Sequence, residues 1–255
     1  MKNKTGTTLK LVFMKQIFPK QFADILNSKG LEILLGKTHA ISENSDERLK
    51  VVHDIIKPEY AIKILNTLQQ KVFPVLRNCN TPISGDIIKE MKINYSEKLG
   101  KSMKMMSSEI NSSRSIAYKV AKEIGLFDML SSESYKLMGE VLMATKFGNS
   151  IGKQIICYQH ADYVSPHNDH HPENENIKRG YFDIQLMLSN KYVKHQWLVY
   201  EQNGFLNKFV DITSLSGIAV YRLPFWHYTT PMISKPGEHN TAKRWLLLHS
   251  YEFTK

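Results

Sequence analysis

From about residue 152 onward the chain breaks into short apolar runs, QIICY, YFDIQLML, QWLVYE, FLNKFVDI, IAVYRL and RWLLLHSYEF, separated by Gly, Pro, Asn and Asp. Runs of this length, rich in β-branched and aromatic residues and bounded by turn formers, predict β-strands. In YFDIQLML the alternation puts Phe182, Ile184, Leu186 and Leu188 on one face and Tyr181, Asp183, Gln185 and Met187 on the other. The first face is suited to packing and the second is polar enough to line a cavity. Six such strands without intervening helices predict a sandwich, jelly roll or barrel whose mouth can hold a site.

The first 150 residues have a different texture. TLKLVFM at 8–14 predicts a short strand, and Pro19 followed by QFADILNSKG predicts a helix that Gly30 ends. The stretch 33–58 shows no clear period. Between Glu59 and Arg77 the apolar positions Ala61, Ile62, Leu65, Leu68, Val72 and Phe73 recur every three or four residues, the stripe of an amphipathic helix, which Pro74 should kink or end. Residues 86–147 read as mostly helical, with a helix start at Ser131–Ser134. Met103, Met105 and Met106 are expected to fill gaps in a core. The expectation is therefore an α+β chain, with a mainly helical region at 1–150 packed on a β domain at 151–255 and contributing to a substrate pocket or a homodimer surface.

Composition narrows the class. The 255 residues include 34 Lys+Arg and 24 Asp+Glu, for a net charge of +10. Residues 1–150 hold 23 basic and 15 acidic groups, so +8 of the excess lies there. The lysines are scattered instead of forming a stripe that tracks phosphates, so nucleic acid is a possible but disfavoured partner and a small-molecule substrate is expected. No apolar run of 18 residues and no signal-peptide core is visible, so a cytoplasmic protein without a membrane partner is expected. Two cysteines, Cys79 and Cys157, are too few for a thiolate metal site, so any metal must be held by nitrogen and oxygen.

Histidine is concentrated where bulk charge is not: eight of ten lie beyond residue 150. In YVSPHNDHHPEN, His167 and Asp169 are two apart, so on an extended segment both project from one face. His227 follows a predicted strand 58 residues later and can supply a third ligand. Two imidazoles and a carboxylate on one side of a metal leave its other positions open, the facial triad of non-haem Fe(II) sites. A second pair with the same spacing is His160 and Asp162, and His170 and His171 are also available as contacts near the metal or the substrate.

The segments YQHADYVSPHND, LMLSN, SGIAVYRLPFWHYTTP and KRWLLLHSYEF resemble the successive core strands of the Fe(II)/2-oxoglutarate-dependent oxygenases. The resemblance covers roughly residues 152–253. It implies a double-stranded β-helix, or jelly roll, and a dioxygenase using Fe(II), 2-oxoglutarate and O2. It also implies that His167, Asp169 and His227 bind iron, that Tyr158 contacts 2-oxoglutarate, and that Arg244 anchors its distal carboxylate, with Arg222 or Lys243 as alternative anchors. The tyrosine spacing and Pro166 favour His167 and Asp169 over His160 and Asp162. With Asp169 present, hydroxylation, desaturation or demethylation is implied in preference to halogenation. Tyr181, Asp183 and Gln185 are candidate substrate contacts; Asp183 suits an amine, or Asp183 and Gln185 bond each other or support the metal ligands. A small polar metabolite such as an amino acid is the expected substrate. An oxygenase acting on nucleic acid, with Trp197, Trp226 or Trp245 stacking a base, and a metal-binding jelly roll without activity are the rivals.

Overall fold

A computed structural model describes residues 17–37, 46–82 and 102–254, and the statements below concern these. The strands are β1 (Leu49–His53), β2 (Arg77–Pro82), β3 (Ser102–Glu109), β4 (Phe147–Tyr158), β5 (Tyr163–His167), β6 (Tyr181–Ser189), β7 (Val193–His195), β8 (Trp197–Gln202), β9 (Phe205–Asp211), β10 (Gly217–Leu223), β11 (His227–Thr229), β12 (Ile233–Ser234) and β13 (Arg244–Phe253). Eleven of them form one antiparallel sheet in the order β1-β10-β6-β13-β4-β3-β5-β11-β8-β9, with β2 paired to β3, while β7 and β12 form a separate pair. The sheet is nearly closed on itself, a double-stranded β-helix with its apolar interior between the β1-to-β4 wall and the β5-to-β9 wall.

Period-two alternation sorts the side chains into two cores. On β6, Phe182, Ile184, Leu186 and Leu188 join Trp245 and Leu247 of β13 in one cluster, packed under Phe18 and under helices that contribute Phe22, Leu126 and Met138. Tyr181 and Met187 point the other way, into the interior, with Leu246, Leu248 and Ala219. Every residue of β6 is buried because the sheet is covered on both faces. Helix Glu133–Met143, capped by the Ser132 hydroxyl, lies across this outer face; its buried Tyr135 donates to the Leu247 carbonyl at 2.8 Å and accepts from the Leu186 amide at 3.2 Å, tying β6 to β13. No helix among the described residues is long and apolar enough to cross a membrane.

Several local expectations change. Gly30 lies inside the helix Ser28–Leu34; Asn27 caps its start by accepting from the Gly30 amide, and the left-handed Gly36 follows its end. QFADIL forms only a 3-10 turn, Phe22–Ile25. The stripe at 59–77 is helical over Pro58–Thr67 and continues through π and 3-10 turns to Val75, so Pro74 does stand at its end. Residues 102–109, part of the stretch expected to be mostly helical, form β3, because pairing with β2, β4 and β5 outweighs intrinsic propensity. The first half also supplies β1, which pairs with β10. The strand expected at 8–14 and the helical reading of 86–101 lie outside the described residues.

Candidate metal centre and its cavity

The β5–β11 pairing sets His227 directly opposite His167, one strand ending and the other beginning at that level. Each imidazole donates Nδ1–H to a carbonyl of its own chain segment, His167 to Ser165 at 2.8 Å and His227 to Phe225 at 2.9 Å. Both Nε2 lone pairs therefore face inward, the orientation that a backbone acceptor imposes on ligand histidines. Asp169 is not on an extended segment. Its φ of 53° is left-handed, and the turn brings its carboxylate back between the rings, Oδ1 3.5 Å from His167 Nε2 and Oδ2 3.5 Å from His227 Nε2. The shared face is thus produced by a backbone reversal and not by strand alternation.

The donor atoms of these three residues all lie within 4.8 Å of one another. Ligands about 2.1 Å from a metal and at right angles to each other stand about 3 Å apart, close to the 3.5 Å between each Asp169 oxygen and its facing imidazole nitrogen. Burial lowers the His227 pKa to about 4, so the ring is neutral at physiological pH and its lone pair is free. Nitrogen and oxygen donors in a two-His, one-carboxylate set match a non-haem Fe(II) site with open positions.

The triad opens on a cavity of about 280 Å³ between the two walls. Tyr158, Tyr181, Asp183, Gln185 and Arg244 line the same cavity, so the eight residues first chosen for the metal, cosubstrate and substrate share one site. Arg244 is 1% exposed. Its Nε donates to the Ile212 carbonyl at 2.9 Å and its Nη1 to Gln196 Oε1 at 3.1 Å, while its plane lies 5.3 Å from the Tyr158 ring centroid. Among the described residues no carboxylate pairs with it and its Nη2 has no partner. Ser189 stands opposite it in the β6–β13 register with a buried, unpartnered hydroxyl. A fully buried guanidinium with no ion-pair partner among the described residues is costly, and its open Nη2 on the cavity wall marks a place for an anion. The residues present therefore fit both the iron and an anionic cosubstrate.

Arg222 is exposed and lies over the Phe253 ring on the outer surface, and Lys243 donates to the Asn240 carbonyl outside the cavity. Neither is among the cavity-lining residues. His160 packs at a tilt against His239 with ring centroids 4.1 Å apart, and Asp162 accepts from the Gln159 amide, so that pair serves the loops outside the cavity. His171 reaches the cavity wall, whereas His170 is exposed and bonds the Lys178 carbonyl.

Asp183 is buried. It accepts from the Ser250 hydroxyl, is bonded by Gln185, and burial pushes its carboxyl up to about 7. Sequence reading missed Tyr221, Thr229 and Ser250, which line the cavity, and Gln196, which holds the arginine. The alternation in IAVYRL carried the signal for Tyr221, placing it on the same face as Ala219. Gln196 carried none, because its role depends on a contact 48 positions away.

The fold is similar to that of an oxidoreductase of the 2OG-Fe(II) oxygenase family from Burkholderia pseudomallei, with a TM-score of 0.55 and 9% identity over 88% of this chain and 90% of that one. A prolyl-4-hydroxylase from Pseudomonas putida aligns at a TM-score of 0.45 and 8% identity over 88% of this chain and 99% of that one. No family model and no curated protein matches the sequence. The fold is thus the jelly roll seen in a 2OG-Fe(II) oxygenase, and it brings His167, Asp169 and His227 together as a cluster that could hold a metal ion.

Proposed function

We propose that the protein is a non-haem Fe(II)- and 2-oxoglutarate-dependent dioxygenase that hydroxylates a C–H bond of a small polar metabolite, an amino acid or a derivative of one. The observation that carries this reading is the joint presence, in one cavity, of the two-His, one-carboxylate triad and a buried arginine without a counter-ion. His167, Asp169 and His227 hold the iron. The planar fork of Arg244 receives the distal carboxylate of 2-oxoglutarate through parallel charge-assisted hydrogen bonds, and the Tyr158 phenol supports the same group. With both bound, iron and 2-oxoglutarate supply activation of O2 for oxidation of an unactivated C–H bond.

This chain's own contribution is placement and exclusion. The carbonyls of Ser165 and Phe225 fix the ligand tautomers, and Gln196 with the Ile212 carbonyl fixes the guanidinium. Ile156, Leu198, Leu246 and Leu248 keep the chamber wall dry. Little favours base stacking: Trp245 is 1% exposed in the outer core, and Trp197 stands on the face of β8 opposite to cavity-lining Leu198. The test is succinate release from 2-oxoglutarate with purified protein, Fe(II) and a panel of amino acids and nucleotides. His167→Ala and Asp169→Ala are expected to abolish it, and full turnover in either would exclude the ligand assignment.

A further inference from the structure

Arg244 and Ser250 are six residues apart on β13, about 20 Å of strand, so the cavity has two chemically distinct ends. The Arg244 end carries a buried guanidinium with no ion-pair partner among the described residues. At the other end Asp183, 6% exposed, stands opposite both Ser250 and Tyr221 in the strand registers. Its carboxylate accepts from the Ser250 hydroxyl, and no Lys or Arg among the described residues lies within ion-pair distance. A buried carboxylate is ordinarily matched by a cation.

Next to it in the registers are two tyrosines, Tyr181 two positions earlier on the same face of β6 and Tyr221 across the β6–β10 pairing, whose ring reaches toward the triad, 5.5 Å from that of His227. They are 9% and 4% exposed, both line the cavity, and neither hydroxyl has a hydrogen-bond partner among the described residues. A carboxylate supplies charge, aromatic faces attract a cation, and phenol oxygens accept from N–H. Together these are the components of an ammonium site.

We propose that this end of the cavity binds the protonated amine of the substrate, with Asp183 as its counter-ion and Tyr181 and Tyr221 enclosing it. The proposal rests on the reading that the cavity is the oxidation chamber, and it narrows the substrate to an organic ammonium ion whose oxidised carbon lies toward the triad. If Asp183 served only to bond Ser250 and Gln185, an amide in its place would do as well.

The experiment is anaerobic calorimetry on protein loaded with Fe(II) and 2-oxoglutarate, titrated with L-lysine, L-ornithine, putrescine and methylamine and with their N-acetyl counterparts. At least one amine is expected to bind, its N-acetyl form at least about tenfold more weakly, and Asp183→Asn is expected to weaken the amine by about tenfold or more while leaving the acetylated form unchanged. Tyr221→Phe, which keeps the ring and removes the oxygen, is expected to fall between. Failure of every amine to bind, equal binding of the acetylated forms, or wild-type amine affinity in a folded Asp183→Asn protein would each overturn the proposal. The visible charge-transfer band that appears on mixing Fe(II) and 2-oxoglutarate, read before any amine is added, reports separately on the dioxygenase reading. Its absence sinks that reading; its presence without amine binding sinks only this one.

Discussion

A buried charge left unpaired by the protein itself separates function from stability. Arg244→Met removes the uncompensated guanidinium while keeping an unbranched apolar side chain in the space between Tyr158 and Gln196. The variant is expected to resist urea at least as well as the wild type, since replacing buried charge by packed apolar volume is often neutral or stabilising. Its 2-oxoglutarate affinity should fall by about 30-fold or more, a loss of at least about 2 kcal/mol. Equilibrium unfolding and an anaerobic 2-oxoglutarate titration read the two effects independently. His249 makes the complementary case on the outer face of β13. Its Nδ1 meets both the Leu130 carbonyl at 2.7 Å and the Tyr251 hydroxyl at 2.6 Å, Ser150 meets its Nε2, and burial lowers its pKa to about 3. The unfolded chain, with a histidine near pH 6.5, binds the proton that the folded chain refuses, so stability is retained above that pH and is lost as pH falls toward 3. At pH 4.5 the loss is about 2–3 kcal/mol. His249→Gln should flatten the decline in unfolding free energy between pH 6.5 and 4.5.

At the scale of elements, close approaches that no periodicity reports decide the packing. A Cβ on Gly30 would stand 2.5 Å from the Ile55 carbonyl oxygen, because the helix Ser28–Leu34 runs directly against the segment after β1. Gly30→Ala is therefore expected to lower stability by about 1–3 kcal/mol even though alanine favours a helix by about 1 kcal/mol, and chemical denaturation checks the sign. Reading Gly30 as a helix terminator used a sound rule at a position governed by a different constraint. β3 shows the same limit. Met103 and Met105 face the cavity because the strand is captured by three partners, β2, β4 and β5, and nothing within eight residues of helix-prone sequence announces any of them. Strand alternation was legible wherever one strand carried its own pattern, as in β6, and illegible in three-residue β11, which exists only through pairing with β5 and β8.

For the whole molecule, the triad joins the end of β5, the turn after it and the start of β11, so a metal there crosslinks segments about 60 residues apart in the chain. Fe(II) with 2-oxoglutarate, each at about 100 times its dissociation constant, would stabilise the folded state by about 2.7 kcal/mol per ligand, and each kcal/mol raises Tm by about 2–4 °C at this size. An anaerobic melt should show a rise of about 10 °C or more, absent in His227→Ala.

From the sequence alone came the kinds of chemistry: which residues could ligate, which strand faces were polar, and that the second half was β, since side-chain type and period two are local properties. Tertiary structure decided which candidates meet. It turned Asp169 back through a left-handed residue, left Arg244 buried and Arg222 in solvent, and kept His160 and Asp162 outside. Those outcomes depend on strand register and on which wall a side chain faces, and both are fixed by contacts between residues far apart in the chain.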